Sequence, residues 1–401
     1  MKKLIILLVV LCLVGVAVLV LAGGGGNPAK PQEPETVIVP EEEAAPAAEP
    51  EAGDEEAAQG LDLDALYALH DPDEIVMTIG DQEIPWRDYF YFYQSGAVQL
   101  EQQFQMYQSY GMAIGWNSQA DEEGHTYAEL LGTQTEETMR QIIGLENLAE
   151  ELNIQLTEEE EQEMQQNHQE LITARFGEEG TEEQLYEFLD SIHVTPELYW
   201  RINRYSFLYD ACYRQVCGED GSLLDEQEVL DWMDENGILS ANHILISTTD
   251  LDEAAKAEKS ALAQEIAQEL QAIEDVEARI ARFLELQEQH NEDPGTVENG
   301  YVFGPGVMVP EFYDGTLALE ENQVSDPVES QFGYHIILRR PLHADDEIYS
   351  GGYSYTGRAM AANERFGAML DEKIESLQVV HAEGFEEPDL SAMVAPAAVD
   401  K

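Results

Sequence analysis

Apolar residues recur with the period of an α-helix through most of residues 85–235. Within 126–152 they stand three or four positions apart, which places them on one face of a helix. Pro85 suits the first turn of a helix, so the aromatic run that follows it, WRDYFYFYQ, is predicted to be helical. Thr157 followed by four glutamates has the features of a capped helix start. Further helices are predicted near 182–191, 195–215, 225–235 and 357–378.

Other segments have the composition of β-strands. Residues 75–85 hold two apolar stretches around a Gly-Asp turn, which predicts a short hairpin. The apolar segments 239–247 and 333–338 each carry a central histidine, and the Ala-, Glu- and Gln-rich segment 252–272 between them is predicted to be helical. This order predicts an α+β unit in which helices surround a small antiparallel sheet.

The first 22 residues combine a positive start with an unbroken apolar run from Leu4 to Ala22. The 19 residues of this run approach the ~20 that span a bilayer as a helix, and exceed the ~7–15 of a usual signal-peptide core. We therefore predict a membrane anchor in residues 1–22, with cleavage as a signal peptide as the alternative. Because the positive end stays inside, the chain is predicted to be a single-pass cell-membrane protein whose bulk is extracytoplasmic.

Two segments lack the apolar residues of a core. Residues 23–60 repeat Gly, Pro, Ala and Glu, and are predicted to form a disordered acidic linker that lifts the following domains away from the membrane. Residues 383–401 are predicted to be a disordered tail.

The chain of 401 residues is strongly acidic, with 82 Asp and Glu against 19 Lys and Arg and a net charge of −63. Phosphate binding needs clustered basic side chains, so nucleic acid is excluded as a partner. This charge favours basic or unfolded cationic partners. Adaptation of the whole proteome to salt or acid is the alternative explanation.

No motif for metal or cofactor chemistry is present in the sequence. Cys212 and Cys217 lack the spacing of a zinc site and are predicted to be buried thiols. The glutamates at 158–161 begin a helix, whereas calcium ligands require a loop. Signatures of serine hydrolases, zinc proteases and phosphate-binding loops do not occur. The chain is therefore expected to need neither a metal nor a cofactor.

Three segments together resemble the parvulin family of peptidyl-prolyl cis/trans isomerases. They are LSANHILIS at 239–247, VMVPEF at 307–312 and VSDPVESQFGYHIIL at 324–338. Two strands with a central histidine enclose a Met-x-x-x-Phe pair in these segments, which cover about a quarter of the chain. The resemblance implies catalysis of rotation about X-Pro peptide bonds, a reaction that needs no cofactor.

The resemblance also implies roles for seven residues. The implied catalytic residues are His243, Asp293, Ser330 and His335, and the implied proline pocket is formed by Met308, Phe312 and Phe332. For the two histidines, support of the site's architecture is favoured over proton transfer. For Asp293, a simple Asn-Glu-Asp-Pro turn is the alternative. The segment 298–303 is about two residues shorter than in most parvulins, which places the isomerase rate in question.

The surrounding helices resemble the chaperone region of exported bacterial foldases of the PrsA and SurA type. This resemblance implies a helical chaperone domain at 61–238, a parvulin domain inserted at 239–342, and a C-terminal helical segment at 343–382 that returns to the chaperone domain. The aromatic residues 86–93 are expected to border a cleft for unfolded clients.

The predicted function is that of an extracytoplasmic foldase. Its expected partners are unfolded or partly folded exported polypeptides that contain X-Pro bonds. Phosphopeptides are excluded, because the segment 247–253 after the first strand carries acidic residues and no Lys or Arg to bind a phosphate. The alternative is a membrane-anchored holdase whose parvulin domain is catalytically silent.

Overall fold

The computed structural model describes most of the chain after the predicted linker. The described residues are 62–121, 123–295, 300–350, 353–388 and 390. The predicted anchor at 1–22 and linker at 23–60 lie outside them. Within these described ranges, no helix is both long enough and apolar enough to cross a membrane.

The described elements are α-helices and antiparallel β-strands. In chain order, the first are α1 (Leu63–Tyr67), β1 (Ile75–Ile79), β2 (Gln82–Pro85), α2 (Trp86–Ser109), α3 (Tyr127–Glu151), α4 (Glu158–Phe176), α5 (Glu182–Ser191), α6 (Pro196–Cys217) and α7 (Glu226–Glu235). They are followed by β3 (Leu239–Ser247), α8 (Glu253–Gln271), α9 (Val276–His290), β4 (Tyr301–Phe303), α10 (Pro310–Leu317), β5 (Val328–Ser330), β6 (Gly333–Arg340), β7 (Glu347–Ser350), β8 (Tyr353–Thr356), α11 (Gly357–Ser376) and β9 (Val379–His381). The predicted hairpin and helices are confirmed.

Local sequence signals explain where these helices start. The Thr126 hydroxyl accepts the Glu129 backbone N–H while the Glu129 carboxylate accepts the Thr126 backbone N–H. Thr157 and Glu160 form the same reciprocal pair at the start of α4, which confirms the predicted cap. Each pair satisfies backbone donors that the first turn of a helix leaves free.

The chain divides into two compact units. One contains the described residues up to Ala211 and from Leu370 onward, and the other is Cys212–Met369. This division differs from the predicted boundaries at 238 and 343, since residues 212–238 and 343–369 lie in the second unit. Within it, the returning helix contacts the segment 212–238, for example where Trp232 donates to Glu364 at 3.0 Å. There, Tyr213 makes an edge-on ring contact with Phe366.

The first unit joins helices to a small sheet with strand order β2-β1-β9. The chain's C-terminal part enters this unit through β9, which pairs antiparallel with β1, and through the Ile374 carbonyl, which accepts a hydrogen bond from Arg140 at 2.7 Å. The aromatic side chains of residues 86–93 are all buried in its core. The expectation that they border an open cleft is therefore wrong in this structure.

The described start of the predicted disordered tail contributes to this same core. Phe385 packs against the core, and Leu390 is fully buried in it. The prediction of disorder from residue 383 is therefore wrong for the described residues 383–388 and 390. Composition alone predicted disorder because these two apolar residues are separated by Glu and Pro.

The second unit is built on a four-stranded antiparallel sheet with strand order β4-β3-β6-β5. Ile244 and Ile246 on one face of β3 pack in a cluster with α8 and α9. Leu239 and Ala241 on the opposite face join a cluster that includes Phe312 of α10. Because both faces of β3 are covered, its residues are buried from Leu239 to Ile246.

The unit also contains a separate hairpin of β7 and β8 and both cysteines of the described residues. Cys212 and Cys217 are free, buried thiols, as predicted. Burial raises the pKa of Cys212 to about 11, so this thiol stays protonated at neutral pH.

Candidate active site

Two histidines face each other on the α10 side of the central sheet. His243 lies in the middle of β3, and His335 lies on the neighbouring strand β6, where it pairs with Leu245. The register places the two rings diagonally on the same face, with Nδ1 3.1 Å from Nδ1. The rings are nearly parallel, at 18° and 5.3 Å between centroids, and both side chains are buried.

Asp293 approaches the outer side of His243 from the loop after α9. Its Oδ2 lies 2.9 Å from Nε2 of His243. Asn291 positions this loop, because its side-chain oxygen accepts both the Leu245 backbone N–H of β3 and the Asp293 N–H. The carboxylate is thus held against the histidine by the chain segment that carries it.

Ser330 closes the other end of the histidine pair. It ends β5, and its Oγ lies 2.7 Å from Nε2 of His335. The same oxygen accepts the backbone N–H of Phe332 in the turn to β6, at 3.2 Å. The structure therefore brings Ser330, His335, His243 and Asp293 into one continuous hydrogen-bonded row.

The protonation of this row follows from the charge at its end. Burial alone would raise the pKa of Asp293. Hydrogen bonds from the Gly295 N–H, the Tyr301 hydroxyl and His243 outweigh burial and hold that pKa below its usual value. Asp293 is therefore ionised at neutral pH and can only accept, so Nε2 of His243 must donate to it.

Both histidines are consequently neutral, and each donates its single ring N–H toward the Asp293 end of the row. With its proton on Nε2, His243 accepts at Nδ1 from Nδ1–H of His335, which accepts at Nε2 from the Ser330 hydroxyl. Burial lowers the pKa of His243, and the hydrogen bond and charge of Asp293 only partly offset this effect. Burial and then the neighbouring His243 lower the pKa of His335 to about 4. The row has no spare proton to transfer at neutral pH, which supports an architectural role for the rings.

Tyr301 is a residue of this site that sequence reasoning missed. Its hydroxyl lies 2.9 Å from Asp293 Oδ2 and 2.8 Å from the Gly295 carbonyl oxygen. Tyr301 pairs with Ala241, two residues before His243, so the pairing of β4 with β3 brings it to the same face. The signal that the sequence offered for this residue was a tyrosine directly after Gly300, at the start of a short strand.

An apolar wall adjoins the histidines. The ring of Phe312 meets His243 edge-on at 5.2 Å and His335 at 5.4 Å between centroids. Met308 packs against the same cluster as Phe312. Met308 precedes α10, which begins at Pro310 with Val309 as its N-cap, so the Met-x-x-x-Phe spacing does not place Met308 and Phe312 on one helix face.

Phe332 lies on the rim of the site. It is in the turn between β5 and β6, two residues from Ser330, and its side chain is 45% exposed. The backbone brings it near the row, and its exposed ring leaves an apolar surface open to solvent on that side.

One group of possible metal ligands lies elsewhere, in the loop before α3. Asp121, Glu123 and His125 offer ligand atoms within 4.8 Å of one another. His125 is already hydrogen-bonded to Asp121 at 2.6 Å, and the group is at the surface. We assign no metal site to it.

Comparison with known protein families identifies the domain that carries this site. The model of the PPIC-type peptidyl-prolyl isomerase domain, called Rotamase, matches residues 243–340. Residues 243–340 are a parvulin domain. The match begins at one histidine of the row and ends with the last residue of β6, so it includes all seven residues predicted for the site.

Named relatives share mainly the parvulin domain. A "Foldase protein PrsA 4" of Bacillus cereus is 43% identical over 102 residues, which cover 25% of this chain and 30% of the relative. A "Foldase protein PrsA" of Oceanobacillus iheyensis is 28% identical over 224 residues, covering 55% and 64%. A "Chaperone SurA" of Methylococcus capsulatus is 37% identical over 99 residues, covering 23% and 20%. The chain thus spans less than two thirds of the length of each of these relatives.

Solved structures give a weaker likeness. A crystal structure of the peptidylprolyl isomerase PrsA from Bacillus cereus is 21% identical, covering 65% of this chain and 87% of that one, with a TM-score of 0.22. A TM-score this low carries no conclusion about how the parts of the chain correspond.

Proposed function

We propose that the parvulin domain accelerates cis/trans isomerisation of X-Pro bonds in exported polypeptides. The bond rotates slowly because its C–N bond has partial double-bond character, with a barrier of about 18–20 kcal/mol. A catalyst must favour the twisted amide, in which this conjugation is lost, over the planar one. The observation that carries the proposal is the hydrogen-bonded row that ends in ionised Asp293 beside the apolar wall of Phe312.

The apolar residues are proposed to bind the proline ring. Phe312 and Met308 provide a wall, and the exposed ring of Phe332 closes over the substrate from the rim. Removing water from the amide weakens the charge-separated resonance form that makes the C–N bond rigid. No covalent step and no proton transfer is required.

Asp293 is proposed to act through its charge. In the planar amide, negative charge collects on oxygen and positive charge on nitrogen. A fixed carboxylate near the amide oxygen disfavours that distribution and so favours the twisted state. The neutral histidines hold Asp293 in place, and Ser330 and Tyr301 complete its surroundings.

The substrate is proposed to carry no phosphate. The two lysines nearest to the first strand of the domain are already paired: Lys259 with Glu292 at 2.6 Å and Lys256 with Glu253 at 3.3 Å. A phosphoserine before the proline would therefore meet acidic side chains, and both of these lysines are already engaged by a glutamate.

The helical unit is proposed to bind unfolded clients while the parvulin domain acts on them. This assigns 62–211, with the returning C-terminal residues, to a chaperone domain and 212–369 to an inserted isomerase unit. Residues 1–22 are proposed to anchor the chain. Cell fractionation tests the anchor: the full-length chain should stay in the membrane pellet after carbonate washing, and a mature form beginning at Gly23 in the medium would contradict it.

The isomerase proposal is tested on a short Ala-Pro tetrapeptide by NMR exchange, without a helper protease. The full-length protein should accelerate exchange at catalytic concentration and show no preference for phosphoserine-Pro. A client-aggregation assay in the same samples separates the alternative. Suppressed aggregation with an isomerisation rate equal to that in buffer would support a silent holdase instead.

A further inference from the structure

One face of α2 forms an aromatic stripe made of Trp86, Tyr89 and Tyr93. These positions are three and four residues apart, so their side chains lie along one line of the helix. All three are buried, and their rings stack in sequence at 5.8 Å and 5.7 Å between centroids. A helix surface this apolar needs a cover.

The cover includes the segment 385–390, near the other end of the chain. Phe385 meets Tyr89 edge-on at 5.5 Å and lies 6.2 Å from Trp86. The Tyr93 hydroxyl donates to the Pro388 carbonyl oxygen at 2.9 Å. Leu390 is fully buried in the same core cluster. Three anchors, in the pattern Phe-x-x-Pro-x-Leu, therefore hold this segment to the stripe.

The segment is attached like a bound peptide. Residues 385–388 belong to no helix or strand, and Glu386 between the anchors is exposed. Side-chain anchors separated by a solvated residue are typical of a peptide in a groove.

The fit of this segment is also incomplete. Burial, and then the charge of Glu387, raise the pKa of the Tyr89 hydroxyl. The Glu387 carboxylate of the segment is the group that interacts with this hydroxyl, and burial raises the pKa of that carboxylate in turn. Removing a carboxylate from water costs free energy, which weakens the attachment of the segment. A peptide that offered an uncharged oxygen to Tyr89 would bind better than the segment that now covers it.

We propose that the aromatic stripe is a binding site for extended client segments with an aromatic residue, a proline and a leucine spaced like Phe385, Pro388 and Leu390. The chain's own segment 385–390 occupies this site in the absence of a client and is displaced by one. The proposal rests on the client-binding half of the proposed function and is independent of isomerase activity.

A labelled peptide with the sequence of residues 383–390 is the probe, and its fluorescence anisotropy with the full-length protein is the measurement. A tethered segment competes at an effective concentration in the millimolar range. The double variant Phe385→Ser, Leu390→Ser should therefore bind the probe about 10-fold or more tightly than the parent. The matched control is Val380→Ser, which changes a 60% exposed side chain on β9 and should bind like the parent.

Thermal unfolding of each variant separates displacement from loss of fold. If the double variant unfolds, Phe385→Ala alone, at a half-buried anchor, should still bind the probe several-fold more tightly than the parent. Equal affinity of the parent and Phe385→Ala, or no binding by either, would show that 385–390 is a fixed part of the core. Isomerisation of the Ala-Pro tetrapeptide is read in the same samples. If the samples do not accelerate this isomerisation, the isomerase proposal alone is overturned.

Discussion

Acidification should destabilise the sheet of the parvulin domain through His335. The pKa of this buried imidazole is about 4 in the folded protein, against about 6.5 in an unfolded chain. Between those two pH values the unfolded chain binds a proton that the folded protein excludes. The free energy of unfolding therefore falls as the pH falls through this interval, and below about pH 4 both states are protonated and the loss ends.

The expected size of this effect is about 3 kcal/mol, at about 1.4 kcal/mol for each pH unit between about 6.5 and 4. The many carboxylates of the chain also titrate there, so the quantity to measure is the difference between the parent and His335→Gln. Hydrogen exchange of the β6 amides gives the free energy of opening of this sheet alone. The parent should lose stability relative to the variant between pH 6.5 and 4. If the free energy of opening changed equally with pH in the parent and in His335→Gln, the proposal of a neutral, buried row would be refuted.

Four further predictions concern the chemistry of the site. Met308→Ala should lower kcat/KM about 10-fold, because a truncated apolar contact costs about 1–3 kcal/mol. Asp293→Ala should lower kcat with little change in the thermal unfolding midpoint, and an unchanged kcat would remove the carboxylate from the mechanism. Tyr301→Phe removes a hydrogen bond that lowers the pKa of Asp293, so the acid limb of the kcat/KM profile should move to higher pH. A metal chelator should leave the rate unchanged, and a loss that added zinc restores would contradict a cofactor-free reaction.

The local pattern of the sequence predicted two strands that carry His243 and His335, and the resemblance to parvulins implied that these histidines share a site with Asp293 and Ser330. An apolar strand with one central histidine is readable at 239–247 and again at 333–338. The Met-x-x-x-Phe spacing added the apolar wall. Tyr301 was missed because its role depends on the pairing of β4 with β3, which its own neighbours do not specify.

The division between residues 211 and 212 and the burial of the C-terminal segment were not foreseen for a similar reason. The helix α6 continues from Pro196 to Cys217 without a break, so no local signal separates residues 211 and 212. Phe385 and Leu390 stand in a Glu- and Pro-rich segment that has the composition of a disordered tail. Their burial depends on Tyr93 and its neighbours, which are almost 300 positions away in sequence.

The most direct test of the account compares two phenylalanines on opposite faces of the same sheet. Phe312 lies against the histidines, whereas Phe283 of α9 is equally buried in the cluster on the other face. Phe312→Leu and Phe283→Leu remove similar apolar volume, so they should cost similar stability. NMR exchange of the Ala-Pro tetrapeptide should show kcat/KM about 10-fold lower for Phe312→Leu and within about 2-fold of the parent for Phe283→Leu. Equal rates for the two variants, or a parent rate equal to that in buffer, would contradict the account.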